Sequence, residues 1–490
     1  MLSSLTPPLV VAILLSFTLE TSAVPQAETS RSGGLTIPIK KRAPSPRTSD
    51  EWGVWAKSQR EGLEAKYGNP GKTRRATGTN LLTNQNADSS YFGSLAIGTP
   101  PAAFNVILDT GSADLWLADS ECQTGCESVP TFNPSSSSSY KNQSTAFSIT
   151  YGSGQAAGFL GKDIVQMAGF SVENQVFAVC DQVSSGLLND PVSGLLGLAF
   201  KSIASSGAQP FWETLVTNNA WDSPLMSFQL TRFLNESSAQ TEEFGGSFSM
   251  GFANSSLYIG EIDYVDMPVE GSYWILPMTE LTVQGNSVSL PTGQGAYAAI
   301  DTGTTLIGGP SEYISAIFEQ IPGSQAGTGN FQNYYTYPCD TTVNVTLSFG
   351  GSRSWTISPA DFRLSRLTRT SCLGAFFELS TGSSAPSWIV GDTFLKNVYS
   401  VFRYSPLSIG FAELSATAVA NNAADIAVPS ATIGSATTVS ATAGSSQSGS
   451  SRSGAISLRS RSASASRFIN AGALVVPLAG YGASSLIGRL

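Results

Sequence analysis

The strongest constraint on the fold is one short pattern that occurs twice in this 490-residue chain. An apolar run ends in Asp-Thr-Gly-Ser at 109–112, and another ends in Asp-Thr-Gly-Thr at 301–304, so the two aspartates lie 192 residues apart. Each copy is followed by two apolar residues and a glycine, with Gly197 88 residues after the first aspartate and Gly391 90 residues after the second. One such tripeptide would be weak evidence, but the duplication predicts two related lobes that each contribute one aspartate.

The body of the chain is predicted to be mostly β. Only 12% of all residues are charged and 48 are glycine, and short apolar runs such as 90–98 and 104–109 alternate with Gly, Pro, Asn and Ser. Such runs are typical of strands separated by turns. Helical periodicity is confined to few segments, of which 312–321 is the best example.

The chain contains no histidine. This absence excludes Ser-His and Cys-His nucleophiles and histidine-bearing zinc sites, so acid–base chemistry must come from carboxylates, Lys, Tyr or Cys. Two aspartates in matching sequence contexts are the candidates for that chemistry. We therefore predict neither a metal site nor a cofactor.

The five cysteines fit an oxidising compartment. Cys122 and Cys126 are four residues apart, and Cys339 and Cys372 are 33 apart, so two local disulfides are the simplest pairing. Closing the longer loop would stabilise the folded chain by about 3–4 kcal/mol. A metal site is the alternative for these thiols, but it lacks histidine and a second close cysteine pair. Cys180 lies in an apolar, strand-like run and is predicted to be buried.

Five segments are predicted along the chain. Residues 1–23 contain a short apolar run and a small-residue cleavage site, which is typical of a secretory signal peptide. Residues 24–75 form a polar, basic pro-segment that ends in two arginines. The two lobes are assigned to 76–265 and 266–414, and a tail rich in Ser, Ala and Thr covers 415–490.

Charge is divided unevenly between these segments. Residues 24–75 contain 11 Lys and Arg against 5 Asp and Glu, a balance of +6, whereas 76–414 contain 10 against 28, a balance of −18. An acidic body does not favour nucleic-acid binding, which requires a basic surface. The opposite charges instead favour a pro-segment that docks on the body and inhibits it. A solvated leader without an inhibitory role is the alternative.

The tail predicts attachment to a surface. Small residues at 453–455, a polar spacer at 456–467 and an apolar end at 468–490 fit a GPI-anchor signal, and an unattached C-terminus is the alternative. The part from residue 415 to this signal is expected to be a flexible, O-glycosylated stalk. Sequons for N-glycosylation, which also fit a secreted protein, occur at Asn142, Asn235, Asn254 and Asn344. We therefore expect an extracellular glycoprotein, held at the membrane or cell wall if the anchor is attached.

These motifs resemble those of the pepsin-like aspartic proteases, especially the secreted fungal type that is made with a pro-segment. The resemblance covers 24–414 and includes both Asp-Thr-Gly copies, ITYGSG at 149–154 and WIVGDTFLKNVYSVF at 388–402. It implies a mostly β, bilobal pepsin-like fold with the active cleft between two related lobes. It also implies a monomeric aspartic-type endopeptidase that cleaves polypeptides.

The resemblance implies a role for each residue of the repeated pattern. Asp109 and Asp301 would share one proton, so that the charged carboxyl takes a proton from water while the neutral one donates to the substrate carbonyl. Which of the two is the base stays open, because the titration belongs to the pair. Gly111 and Gly303 would allow tight turns and the approach of backbone N–H groups. Ser112 and Thr304 would hydrogen-bond the outer carboxyl oxygens. Thr110 and Thr302 would hydrogen-bond the backbone of the opposite lobe.

A second group of residues resembles the substrate-binding part of the same family. Tyr151, Gly152 and Ser153 correspond to the hairpin tip, or flap, that closes over substrate. Trp116 is expected to hydrogen-bond Tyr151, and Ile107 to line an apolar cleft that favours bulky hydrophobic residues beside the cut bond. Taken alone, the tip would be only a hairpin turn and Trp116 only a core tryptophan.

A non-catalytic binding protein with a pepsin-like fold is the alternative function. Such proteins usually lack one aspartate or the flap tyrosine, whereas this chain has Asp109, Asp301 and Tyr151. We therefore expect an endopeptidase that works at acid pH and is made as a zymogen. Acid would protonate carboxylates of the body and so release the basic pro-segment.

Overall fold

The computed structural model describes residues 76–382, 385–431 and 435–441. The segments predicted as signal peptide and pro-segment lie outside the described residues, and so does the anchor signal. Their assignments therefore stay predictions. Within the described ranges, no helix is both long enough and apolar enough to cross a membrane.

The first half of the described chain folds into long strands joined by tight turns. Its strands are β1 (Gly78–Gln85), β2 (Ser90–Ile97), β3 (Ala102–Asp109), β4 (Leu115–Ala118), β5 (Lys141–Tyr151), β6 (Gly154–Met167), β7 (Gly169–Val183), β8 (Val192–Gly197), β9 (Leu225–Leu230), β10 (Glu242–Met250) and β11 (Tyr258–Asp266). One α-helix, α1 (Phe211–Thr217), lies between β8 and β9 in this part of the described chain.

The second half has shorter strands and short helices. Its strands are β12 (Ile275–Pro277), β13 (Glu280–Val283), β14 (Asn286–Ser287), β15 (Tyr297–Ile300), β16 (Ile307–Gly309), β17 (Gln325–Ala326), β18 (Tyr334–Pro338), β19 (Val345–Ser348), β20 (Ser354–Ile357), β21 (Arg363–Arg366), β22 (Ser371–Glu378), β23 (Trp388–Val390), β24 (Tyr399–Arg403), β25 (Ser408–Leu414) and β26 (Ser435–Ser440). Its helices are α2 (Ser311–Glu319), α3 (Pro359–Phe362), α4 (Asp392–Leu395) and α5 (Ala416–Ala420). The helix predicted at 312–321 corresponds to α2, which buries Ile314, Ile317 and Phe318.

The strands of the described residues form three sheets. A 14-stranded sheet has the order β11-β25-β24-β9-β10-β1-β2-β3-β8-β4-β7-β6-β5, with β26 paired to β7. An eight-stranded sheet has the order β12-β15-β23-β16-β22-β18-β17, with β21 paired to β22, and a four-stranded sheet has the order β14-β13-β19-β20. The prediction of a mostly β, bilobal fold is confirmed. Strands β24, β25 and β26 of the second half join the sheet that the first half mainly builds.

The duplicated sequence pattern corresponds to a duplicated strand arrangement. β3 lies parallel to β8, with Asp109 opposite Gly197, and β15 lies parallel to β23, with Ile300 opposite Val390. The apolar-apolar-Gly elements are therefore the strands that support the two aspartate turns. This pairing explains why the two spacings in the sequence are nearly equal.

An aromatic cluster lies directly behind the first aspartate turn. The indole of Trp274 packs against Phe200 and Phe402, with ring centroids 4.6 and 5.3 Å apart, and its N–H donates to the carbonyl of Leu198 at 2.9 Å. The N–H of Leu198 in turn donates to the carbonyl of Asp109 at 2.7 Å. The core thus fixes the backbone at the point where β3 ends.

The cysteines pair in the local pattern that their spacing favours. Cys122 is bonded to Cys126, and Cys339 to Cys372. Cys372 lies on β22 and Cys339 directly follows β18, so the longer loop closes between neighbouring strands. Cys180 on β7 is a buried free thiol.

The first part of the tail, from residue 415, contains regular secondary structure. After β25 the chain forms α5, and β26 then pairs in parallel with the beginning of β7, where Val439 lies opposite Val172 and is buried. The expectation of a flexible stalk from residue 415 therefore does not hold for 416–420 and 435–440.

Candidate active site

The two aspartates lie where their supporting strands end. Asp109 is the last residue of β3, and Asp301 directly follows β15. Both are buried, with 0% and 1% of their surfaces exposed. The structure therefore brings together two carboxyl groups that are 192 residues apart in the sequence.

The threonines of the repeated pattern join the two turns by crossed hydrogen bonds. The backbone N–H of Thr110 donates to Oγ1 of Thr302 at 3.1 Å, and the N–H of Thr302 donates to Oγ1 of Thr110 at 2.9 Å. The hydroxyl of Thr110 donates to the carbonyl of Ile300 at 2.8 Å, and that of Thr302 to the carbonyl of Leu108 at 2.7 Å. Each turn thus supplies partners for the buried backbone of the other, which fixes the distance between the lobes.

Each carboxyl group accepts a matching pair of hydrogen bonds from its own turn. The N–H of Gly111 donates to Oδ1 of Asp109 at 2.7 Å, and the N–H of Gly303 donates to Oδ1 of Asp301 at 2.8 Å. Ser112 donates to Oδ2 of Asp109, and Thr304 donates to Oδ2 of Asp301 at 2.7 Å. These bonds fix the orientation of both carboxyl planes.

The two glycines are required for close approach and not for an unusual backbone angle. A Cβ atom on Gly111 would lie 2.6 Å from the carboxyl of Asp301, and one on Gly303 would lie 2.3 Å from Oδ1 of Asp109. Neither glycine has a positive φ. The carboxyl of each lobe therefore occupies the space that a side chain of the other lobe would need.

Burial makes both carboxyls weaker acids. Loss of solvent raises the pKa of Asp109 well above its ordinary value, and the nearby Asp301 raises it further. Burial likewise raises the pKa of Asp301, although the Thr304 hydroxyl and a hydrogen bond with Asp109 oppose this effect. Two carboxyls in this geometry resist double ionisation, so that one proton is held between them over a range of pH.

The predicted flap is a hairpin between β5 and β6. Tyr151 ends β5, Gly152 and Ser153 form the turn, and β6 begins at Gly154. The indole N–H of Trp116 donates to the hydroxyl of Tyr151 at 2.8 Å, and both side chains are buried. Trp116 is therefore a partner of the flap as well as a core residue.

The cleft beneath the flap combines predicted and unpredicted residues. The predicted residues Ile107, Trp116, Tyr151, Thr302 and Gly303 line one cavity. Other predicted residues of the site do not line it, namely Gly152, Ser153, Gly111, Thr304 and the two aspartates. The lining also includes Leu187 and Leu188 from the β7–β8 loop, Ser89 and Thr305, and Asp392. The loop residues belong to no recognisable motif, so only the structure places them in the cleft.

A buried ionic cluster lies next to this cavity. The Lys396 ammonium lies 2.7 Å from Oδ2 of Asp88 and 3.0 Å from Oδ1 of Asp361. Nε of Arg232 donates to Oδ1 of Asp361 at 2.8 Å. Burial raises the pKa of Asp361, but Lys396 and Arg232 outweigh it and lower that pKa. Sequence reasoning missed this cluster because its members come from four separate segments.

In the described part of the chain, no group of three or more Asp, Glu, Cys or His side chains could hold a metal ion.

Comparison with known proteins places the chain among aspartic peptidases. A family model described as "Eukaryotic aspartyl protease" matches residues 90–414. The chain is 49% identical over 352 residues to "Major aspartyl peptidase 1" of Cryptococcus neoformans var. grubii, covering 70% of this chain and 72% of that protein. It is 32% identical over 428 residues to "Aspartic protease" of Phaffia rhodozyma, covering 84% and 100% of the two chains. It is 36% identical over 335 residues to "Pepsin A" of Bos taurus, covering 67% and 85%.

Proposed function

This chain belongs to the family of eukaryotic aspartyl proteases and is an aspartic-type endopeptidase, and we propose that it is a secreted acid enzyme whose Asp109 and Asp301 activate water. The observation that carries the catalytic assignment is the crossed hydrogen bonding of Thr110 and Thr302. These bonds hold the two buried carboxyls close enough to share a hydrogen bond. The threonine bonds would stabilise any protein with this fold, but a non-catalytic binding protein would have no need of two buried carboxyls in contact.

The proposed reaction uses the dyad as a single acid–base unit. The charged carboxyl removes a proton from water, whose oxygen forms a bond to the peptide carbon, while the neutral carboxyl donates its proton to the carbonyl oxygen. The resulting tetrahedral diol collapses when its C–N bond breaks: the nitrogen takes up a proton from one carboxyl, and a diol hydroxyl gives its proton to the other carboxyl as the C=O bond re-forms. The charge state of the pair is then restored. The roles belong to the pair, as in the established behaviour of aspartic-protease dyads.

The cleft lining supports polypeptide substrates with bulky apolar residues beside the cut bond. Ile107, Leu187 and Leu188 provide apolar surface, and Tyr151 adds an aromatic wall. Burying one such substrate side chain contributes about 1.5–3 kcal/mol. We therefore expect cleavage next to large hydrophobic residues in unfolded chains.

The test is digestion of an unfolded protein by the processed enzyme at about pH 3.5, with and without pepstatin. Asp301→Asn should lower kcat/KM by about 10²–10⁴-fold or more, because the pair loses an acid–base group. Asp163→Asn is the matched control, since Asp163 is equally buried but bonds Ser139 outside the cleft. Undiminished cleavage by the Asp301 variant would reject the mechanism, and peptides from the digest would report the cleavage preference.

We further propose that the enzyme is made as a secreted zymogen. Support comes from the sequence, in which residues 24–75 carry +6 and residues 76–414 carry −18. Near neutrality the basic segment would dock on the acidic body and cover the cleft, and acid would weaken that attraction. Measuring release of the pro-segment across pH tests this proposal, and release that does not depend on pH would contradict it.

The proposed location is extracellular, with attachment to the cell surface through a GPI anchor. The signal-like residues 1–23, two disulfides and the anchor-like end of the chain support it. Expression of the full chain followed by phospholipase C treatment of whole cells tests the anchor. Enzyme that stays on the cells after this treatment, or that is found only in the medium before it, would contradict attachment by this route.

A further inference from the structure

Asp392 lies directly under the loop that carries Asp301. The backbone N–H of Asp392 donates to the carbonyl of Thr304 at 2.8 Å, and the N–H of Thr393 donates to the carbonyl of Thr305 at 2.9 Å. Thr304 is also the residue whose hydroxyl bonds Oδ2 of Asp301. Thr304 therefore connects Asp392 to Asp301, so that a shift of Asp392 would move a hydrogen-bond partner of Asp301.

One of the two oxygens of the Asp392 carboxyl is buried and lacks a hydrogen-bond donor among the described residues. Asp392 is 2% exposed, and the oxygen that lacks a donor among the described residues is Oδ1. Two other carboxyls raise the pKa of Asp392, namely Asp301 from the catalytic loop and Asp88 from the β1–β2 turn, and Asp392 in turn raises the pKa of the phenol of Tyr91 on β2. Among the described residues, the cation that acts on Asp392 is Lys396, directly after α4.

That cation is already balanced by other carboxylates. Lys396 contacts Asp88 and Asp361, and Arg232 contacts Asp361, so two positive and two negative charges close the cluster. An ionised Asp392 would be a fifth charge with no counterion of its own, next to Asp301. Burying an unpaired carboxylate is costly enough that such groups normally stay neutral.

We propose that Asp392 is a third carboxyl of the active site, and that the folded cleft requires it to carry a proton. The proposal extends the proposed function, because it assigns to Asp392 the upper pH limit at which the enzyme keeps its active structure. Burial raises the pKa of Asp392 well above its ordinary value, Lys396 opposes this, and Asp301 and Asp88 add to it.

The direction of the pH effect follows from proton binding. An unfolded chain releases the proton of Asp392 near the ordinary aspartate pKa, whereas the folded state retains it to higher pH. Between these two values the folded state binds more protons, so the free energy of unfolding falls as pH rises. The stabilisation is complete below the unfolded pKa and is lost as pH rises through the folded pKa.

The experiment compares the processed wild-type enzyme with Asp392→Asn, whose side chain is neutral at every pH. Each protein is incubated at graded pH and then assayed after return to acid, so that reversible titration of the dyad does not contribute. Tryptophan fluorescence at the incubation pH reports unfolding independently of activity. Asp163→Asn is the control, because Asp163 also has a buried oxygen without a partner among the described residues but lies outside the cleft and accepts hydrogen bonds from Ser139 and from the N–H of Ile164.

We expect the inactivation midpoint of Asp392→Asn to move upward by about half a pH unit or more, while Asp163→Asn follows the wild type. An unchanged midpoint, or a wild type that stays active well past neutrality, would overturn the proposal. Asp392→Ser is a second neutral variant, and failure of both variants to fold in acid would also count against it, since a neutral group should suffice. Wild-type protein that unfolds with this pH profile but cleaves nothing would instead refute the proposed function alone.

Discussion

The crossed threonines allow a quantitative test of how the two lobes are held together. Replacing Thr302 by Val keeps the shape of the side chain but removes a hydroxyl that accepts from the N–H of Thr110 and donates to the carbonyl of Leu108. Both backbone groups then lose a buried partner, and each unsatisfied group costs about 1–3 kcal/mol. With partial relaxation, we expect Thr302→Val to lower the free energy of unfolding by about 2–4 kcal/mol.

The same change should weaken catalysis, because the hydroxyl fixes the separation of the dyad. A displacement of about 1 Å at a reacting group can cost about 10²-fold in rate, and we expect a fall in kcat/KM of that order. Urea unfolding monitored by fluorescence and cleavage of a peptide at acid pH measure the two effects.

Thr214→Val is the matched control for this prediction. Thr214 is also buried, but its hydroxyl donates to the carbonyl of Pro210, which still accepts from the N–H of Thr214 after the change. Its loss should therefore cost about 1 kcal/mol or less and leave kcat/KM unchanged. Equal losses for the two variants, or full activity of Thr302→Val, would refute the argument that the crossed bonds position the dyad.

Two further changes test other parts of the site. Gly303→Ala should abolish activity, since its Cβ would lie 2.3 Å from Oδ1 of Asp109. Gly382→Ala is the control and should match the wild type, because a Cβ at that position would have no atom within 4 Å among the described residues. An active Gly303→Ala enzyme would contradict the close approach of the two turns. Asp361→Asn should lower the free energy of unfolding by about 3–5 kcal/mol near neutrality, because Arg232 loses its carboxylate partner and Lys396 keeps only Asp88. The pKa of Asp361 is lowered, so its contribution is present above the unfolded pKa and disappears as pH falls through the folded pKa; urea unfolding at several pH values should show a deficit that shrinks in strong acid.

The sequence was sufficient to predict the repeated elements of the site, because repetition is visible without coordinates. The pairing of β3 with β8 and of β15 with β23 follows the two nearly equal spacings in the chain, 88 and 90 residues. The reason for Gly111 and Gly303 was only partly predicted. A glycine can be required either for a special backbone angle or because there is no room for a Cβ atom. Only the position of the opposite carboxyl shows that the second reason applies here.

Other features could not be predicted because they depend on partners far away in the sequence. Lys396 and Asp88 are 308 residues apart, and no local pattern indicates that they meet. Asp392 was visible only as part of a family-like motif, since a buried, unpaired carboxyl looks like any surface aspartate in a sequence. The composition of the tail favoured a linker, and β26 forms only because the edge of β7 offers hydrogen bonds.

The position of β24 and β25 has a consequence for how this protein is made. β9 pairs with β24, and β11 pairs with β25, so both depend on residues up to 414. A nascent chain released at the end of the first lobe would present these strands with open edges, which are prone to pair with other molecules. Synthesis must therefore continue through β24 and β25 before the sheet of the first half is complete. We expect neither half to fold alone when it is expressed separately or exchanged between proteins.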